Sequence, residues 1–179
     1  MSRESFQVRV TKDHLVFCAG HFISYEGNQC ERLHGHNYRT AVEVEGPLDD
    51  NFYVFDFITL KHRTKEITDE LDHRMLLPMR NSLIRVEAVG PSVHVQYRER
   101  RWLFPKDDCV LLPIENTTAE LLARYIGERL LAALRQRHGF EPTALRVEVE
   151  ENVGQSATWE WRPSSRLPVG GHQSSLVQG

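Results

Sequence analysis

Residues 34–44 restrict the fold of this chain more than any other stretch. His34, His36, Tyr38, Thr40, Val42 and Val44 share one parity, while Arg39, Glu43 and Glu45 take the other. That alternation is the period of a strand with one face on a core and one face outward, so both histidines belong to the inward face. Gly46 and Pro47 stop the run. Residues two apart on an extended segment project together, with Gly35 facing the other way, and a shared face is what a metal requires. Two imidazoles make an incomplete zinc site, and a third is found in His21, within the apolar run LVFCAGHFI. Three neutral imidazoles leave a fourth position for water or substrate, which is catalytic geometry. Cys30, four residues ahead of His34, would also suit a closed structural site as fourth ligand. Paired histidines on a strand also occur as plain polar neighbours. The pattern by itself leaves these readings open.

The chain has 179 residues, which suits one domain with a real core. Net charge is -3 with a pI near 6.3, so no whole-chain basic field argues for nucleic acid. Arg98 to Arg101 form a local basic cluster. No apolar run approaches the roughly 20 residues of a membrane helix, and the start MSRESFQVRV lacks a signal-peptide core, so a cytosolic address is expected. Cys18, Cys30 and Cys109 are odd in number and irregular in spacing, as expected of reduced thiols.

Phe6, Val8 and Val10 alternate as a first strand, and Leu15, Phe17, Ala19 and His21 keep one parity after it. EGNQ, residues 26–29, reads as a loop, which puts Cys30 on or beside it. Asp56 can cap a helix running to about Asp72, with Leu60, Ile67 and Leu71 at helical spacing. The pair Asp72-His73 closes it, as a polar terminus or as a reactive couple. Residues 79–113 suggest an inserted hairpin, with strands Leu83 to Val89 and Val93 to Tyr97 around Gly90-Pro91 and an Arg-rich tip. Thr117, Thr118, Ala119 and Glu120 form a capping box for a long helix striped by Leu122, Ile126, Leu130 and Leu134, ending near Gly139. Leu145, Val147 and Val149 alternate with Arg146, Glu148 and Glu150, so Glu151 is a carboxylate on the apolar parity: either the strand has ended or the carboxylate has a task. Ala157, Trp159 and Trp161 make a last strand, and 163–179 reads as a flexible tail behind a single domain spanning 1–162.

FCAGHF, CERLHGHNY, VEVEG, DFITLK, LDH, NTTAELLARYI and VEVEENVGQSATW, in this order, resemble the 6-pyruvoyl-tetrahydropterin synthase and 6-carboxytetrahydropterin synthase family. The resemblance implies an α+β tunnelling fold (T-fold): an antiparallel four-stranded sheet with two helices on one face, here with the inserted hairpin. It also implies a homo-oligomer, a trimer or a dimer of trimers. By motif, His21, His34 and His36 match the family's zinc ligands and Cys30 its catalytic cysteine. Asp72 and His73 match its Asp-His couple, Glu151 its pterin-anchoring glutamate, and Thr117 and Thr118 a segment lining the pterin pocket.

What the resemblance implies is a Zn2+-dependent lyase acting on the trihydroxypropyl side chain of 7,8-dihydroneopterin triphosphate. The spacing of Cys30 to His34 is that of the carboxy-forming branch, whose product is 6-carboxy-5,6,7,8-tetrahydropterin, with loss of acetaldehyde and triphosphate, on the way to queuosine-type 7-deazapurines. Arg80, Arg98, Arg100 and Arg101 are candidates for receiving the triphosphate. Two departures stand out. Glu31, three residues before His34, matches the ExxHGH pattern of members that cleave dihydroneopterin to 6-hydroxymethyl-dihydropterin, so the base is Cys30 or Glu31; and segment 79–113 is longer than in compact bacterial enzymes. Pyruvoyl formation, or pterin binding without turnover, is also compatible with these motifs.

Overall fold

The computed structural model describes residues 4–11 and 14–164. In chain order these form β1 (Phe6–Val10), β2 (Val16–His21), β3 (Ser24–Tyr25), β4 (Gln29–Cys30), β5 (His34–Gly46) and α1 (Phe57–Asp69). There follow β6 (Arg74–Pro78), β7 (Arg85–Val89), β8 (Ser92–Tyr97), β9 (Arg100–Pro105), β10 (Cys109–Leu112), α2 (Ala119–His138), β11 (Ala144–Asn152) and β12 (Gln155–Trp161). The tail expected over 163–179 lies outside the described residues from 165 onward.

The alternating run at 34–44 is the centre of the main sheet. β5 pairs antiparallel with β1 (Val8↔Val44) and β2 (Phe17↔Tyr38), and with β11 (Val147↔Val42). The run Phe6 to Val10 and the same-parity run Leu15 to His21 after it are thus two strands lying in line along β5. The sheet runs β10-β6-β2-β5-β11-β12 with β1 on β5, seven strands in all, which corrects the expected four-stranded antiparallel sheet. β6 and β10 add to the edge of β2 in parallel. β6 was not legible as a strand because Met75, Leu76, Leu77 and Pro78 are all buried, so the two-residue period is absent.

Two helices complete the layer. Asp56 caps α1, its Oδ1 accepting from Thr59 N–H at 2.7 Å, and the helix stops at Asp69, one turn before the expected Asp72. Thr118 caps α2, and Gly139 closes it at φ 60°, a left-handed conformation that glycine takes without strain. Leu122, Ile126, Leu130 and Leu134 are fully buried against Val42, Val44, Leu145 and Val147. Each such side chain contributes about 1.5–3 kcal/mol over exposure.

The inserted segment is a three-stranded sheet, β7-β8-β9, where a hairpin was expected. Residues 98 and 99 are its second turn, and the Arg-rich tip continues into β9, whose Trp102 and Phe104 alternate inward behind the two arginines. Its inner face covers a second core of Phe22, Met75, Leu77, Ile84, Val93, Val95 and Tyr97. The insert therefore sits beside the segment that joins β2 to β5.

Candidate metal centre

The end of β2 and the start of β5 are paired so that His21 faces His34 and Ala19 faces His36. The three rings stand 4.7, 5.3 and 4.8 Å apart between centroids, and their candidate ligand nitrogens all lie within 4.8 Å of one another. His21 is 1 % exposed. Its Nδ1 lies 2.9 Å from the Thr117 carbonyl, and His34 Nδ1 lies 2.8 Å from the Arg32 carbonyl. A carbonyl only accepts, so each Nδ1 carries the proton and each Nε2 presents a lone pair. Burial lowers the pKa of His21 against the opposing pull of the Thr117 carbonyl and Glu151, and keeps the ring neutral.

His21 Nε2 is buried without a hydrogen-bond partner, yet Glu151 Oε1 stands 3.2 Å from it and 3.8 Å from His36 Nε2. A lone pair facing a carboxylate oxygen with no proton between them is repulsive. A divalent cation removes that conflict, and neutral imidazoles with a carboxylate alongside are zinc donors at about 2.0–2.1 Å. The residues present fit Zn2+.

Glu151 reaches this place because it is the extra residue of a bulge: β11 and β12 pair Glu150 with Ser156 and Asn152 with Gln155. Tyr38 Oη donates to Glu151 Oε1 at 3.3 Å. Tyr38 is fully buried, and burial raises its pKa so that it stays a donor.

Glu31 turns toward the histidines: its Oε2 is 4.0 Å from His34 Nε2 and accepts from Ile23 N–H at 3.2 Å. Cys30 turns away. Its side chain packs against the second core, its Sγ lies 3.6 Å from the Glu31 carbonyl, and burial raises its pKa while Arg100 opposes the rise. Thr117 is buried, its Oγ1 donating to the Phe22 carbonyl at 3.3 Å, and Thr118 Oγ1 accepts from Leu121 N–H at 3.5 Å as the helix cap.

Asp72 and His73 form a couple, Oδ2 to Nδ1 at 2.9 Å, and Asp72 Oδ1 accepts from Cys18 N–H at 2.7 Å. The His73 side chain is 82 % exposed. Among the described residues neither member makes a hydrogen bond or ion pair with the three histidines, Cys30 or Glu31. Tyr38, on the histidine parity of β5, supports the site without having been singled out by the sequence, and Arg100, singled out there only as a candidate for the triphosphate, bonds the Cys30 and Glu31 carbonyls through its guanidinium at 2.9 and 2.8 Å.

Two helices over mixed sheets, with three imidazoles that could hold a metal ion converging beside two carboxylates, make an α+β protein with a candidate metal site. The sequence signature of the family described as "6-pyruvoyl tetrahydropterin synthase" matches residues 9–161, and the chain belongs to that family. It is 32% identical over 153 residues to a Methanocaldococcus jannaschii protein provisionally named 6-carboxy-5,6,7,8-tetrahydropterin synthase, covering 85% of this chain and 89% of that one. It is 42% identical to the Pyrococcus furiosus "Dihydroneopterin monophosphate aldolase" over 60 residues, 34% of this chain and 51% of that one. Among solved structures, a Plasmodium vivax 6-pyruvoyltetrahydropterin synthase in which a catalytic glutamate is replaced by alanine superposes with a TM-score of 0.83 at 27% identity. That match covers 90% of this chain and 100% of the other. No helix among the described residues is long and apolar enough to cross a membrane.

Proposed function

We propose that this protein is a zinc-dependent lyase that processes the trihydroxypropyl side chain of 7,8-dihydroneopterin triphosphate. The observation that carries the reading is the convergence of His21, His34 and His36, two of them with Nδ1 tied to a carbonyl, beside the carboxylates of Glu151 and Glu31. Zinc held there would act as a Lewis acid toward the side-chain oxygens and stabilise the negative charge that grows as protons leave carbon. Glu151, kept an acceptor by Tyr38, receives hydrogen bonds from the pterin ring and fixes it while the side chain reacts. Thr117 holds His21 through its carbonyl, and Thr117 and Thr118 would line the pterin pocket.

The carboxy-forming reaction adds one water, releases triphosphate and acetaldehyde, and leaves 6-carboxy-5,6,7,8-tetrahydropterin. The similarity to the Methanocaldococcus jannaschii protein supports it, with Cys30 as the proton acceptor. A second reading is favoured by a specific observation, the orientation of Glu31 toward His34 with Cys30 turned away. In that reading Glu31 takes the proton of the 2′-hydroxyl and the C1′–C2′ bond breaks. C1′ is then reprotonated, giving 6-hydroxymethyl-dihydropterin and the phosphorylated two-carbon aldehyde. The Pyrococcus furiosus relative's name supports this chemistry, and the catalytic glutamate of the Plasmodium vivax 6-pyruvoyltetrahydropterin synthase supports a carboxylate as the base.

In an assembly, a trimer or a pair of trimers, the Asp72-His73 couple with its exposed His73 would reach a substrate held by another copy and shuttle protons. Incubation of the pure zinc-loaded protein with dihydroneopterin triphosphate tests the proposal. Acetaldehyde with the 6-carboxy product supports the first reaction, and glycolaldehyde triphosphate with the 6-hydroxymethyl product supports the second. Formation of neither aldehyde would reject both of these reactions, and release of triphosphate would then tell pyruvoyl formation from pterin binding without turnover.

A further inference from the structure

We propose that Arg100, on the inserted sheet, decides which of two adjacent side chains, Glu31 or Cys30, faces the three histidines, and thereby decides the product. This rests on the lyase reading above.

Neighbouring residues on an extended segment point to opposite sides, so Cys30 and Glu31 cannot both face the metal site. As the chain stands, Glu31 faces His34 and Cys30 packs into the second core. Locally that choice rests on a short ladder and on Ile23, whose carbonyl accepts from Glu31 N–H at 3.0 Å and whose N–H donates to Glu31 Oε2 at 3.2 Å. β3 and β4 pair at only two positions, Ser24↔Cys30 and Tyr25↔Gln29, and a ladder of this size is marginal alone. A slip or rotation by one residue would exchange the two side chains.

The insert adds a restraint that reaches both residues. Arg100 Nη1 donates to the Cys30 carbonyl at 2.9 Å and Nη2 to the Glu31 carbonyl at 2.8 Å. A planar guanidinium that bonds two successive carbonyls fixes the orientation of both peptide planes, which a flexible ammonium cannot do as well. The guanidinium itself is held, lying 4.6 Å over the Trp102 ring, and Trp102 stacks on Phe22 at 4.6 Å with 21° between planes. Tyr97 Oη donates to the Asn28 carbonyl, so a second residue of the insert grips the same loop. With its face on Trp102 and two of its nitrogens on carbonyls, Arg100 acts as a positioning residue.

The test uses the full chain with Cys18→Ser and Cys109→Ser, so that Cys30 is the only thiol. Zinc-free protein is alkylated with iodoacetamide across pH, and the limiting rate at high pH reports access to Cys30 independently of its ionisation. Zinc-loaded protein is assayed for the ratio of acetaldehyde to glycolaldehyde triphosphate. Arg100→Ala is expected to raise the limiting alkylation rate by roughly tenfold, the scale of one charged hydrogen bond, and to move the product ratio toward acetaldehyde. Arg100→Lys should lie between, and Arg85→Ala, on the exposed side of the insert, should match the parent. Should Arg100→Ala fail to fold, Arg100→Lys is read in its place. An unchanged limiting rate, a changed rate with an unchanged product ratio, or an equal effect of Arg85→Ala overturns the proposal. If the parent makes neither aldehyde, both cleavage reactions of the reading above fail, while the alkylation rates still judge whether Arg100 holds Cys30 inward.

Discussion

His21 Nε2 and Glu151 Oε1 face one another at 3.2 Å with no proton to share, because the only proton on the imidazole is committed to the Thr117 carbonyl. The repulsion is a property of the zinc-free protein and predicts effects of opposite sign. Glu151→Gln supplies an amide N–H to the orphaned nitrogen, so the zinc-free variant should melt higher, by about 2–4 °C for each 1 kcal/mol gained in a chain of this size. Its zinc affinity should fall, since the anion beside the cation is gone. Loss of a histidine, as in His36→Ala, should weaken zinc by more than the roughly 10–100-fold typical of a supporting residue. Thermal melts and competition with a chromophoric chelator check both, and a lower melting point for zinc-free Glu151→Gln would refute the geometry.

Tyr38 predicts a separable effect on the pterin. Its hydroxyl, fully buried and kept protonated by that burial, is a donor to Glu151. In Tyr38→Phe the carboxylate loses that donor and its fixed direction. A hydrogen bond to a charged group is worth about 1.5–3 kcal/mol, so KM for the pterin should rise roughly tenfold or more with kcat changed little. A loss confined to kcat would place Tyr38 in the chemistry and not in ring positioning.

How much of this was legible in sequence depends on whether one side chain's period could be heard alone. The run His34 to Val44 announced β5 and the shared face of two histidines, and Thr118 with Gly139 bounded α2, because strand parity and helix caps are local. β6 was invisible because Leu76 and Leu77 are buried on both faces by elements far apart in sequence. β9 was hidden because Arg100 and Arg101 precede the inward Trp102 and Phe104. Cys30 and Glu31 could be named as rival bases, but their orientation is set by Arg100 about seventy residues on, which no local pattern carries. The odd parity of Glu151 was readable, whereas the bulge that aims it depends on pairing with β12.

The two rival bases predict different pH dependence. Burial holds the Cys30 thiol above the ordinary thiol range, with Arg100 opposing, so it is protonated at neutral pH and its thiolate fraction grows as pH rises. Any 6-carboxy product formed through Cys30 should therefore increase steadily from pH 7 toward pH 9. The 6-hydroxymethyl product formed through Glu31 should lack that rising limb. Cys30→Ala should remove the limb and leave the 6-hydroxymethyl rate intact, while Glu31→Ala should do the reverse. Product-resolved rates across pH decide this, and an alkaline limb that survives Cys30→Ala would assign it to another group.

Gly35 joins the fold to the site at one atom. A Cβ built there would lie 2.9 Å from the Ala19 carbonyl oxygen, which belongs to the backbone of the paired strand and cannot swing aside. Relief requires β5 to move from β2 where His21 and His34 are partners. Overpacking of this kind typically destabilises by 1–3 kcal/mol, and here it should also separate the imidazoles, so Gly35→Ala should lose zinc affinity as well as melting temperature. Gly127 provides the comparison. A Cβ there would run into the Trp159 ring between α2 and β12, away from the histidines. Gly127→Ala should lower the melting temperature similarly with zinc affinity unchanged in the folded protein. If both variants lost zinc in proportion to stability, the site would depend on global packing and not on the spacing of β2 and β5.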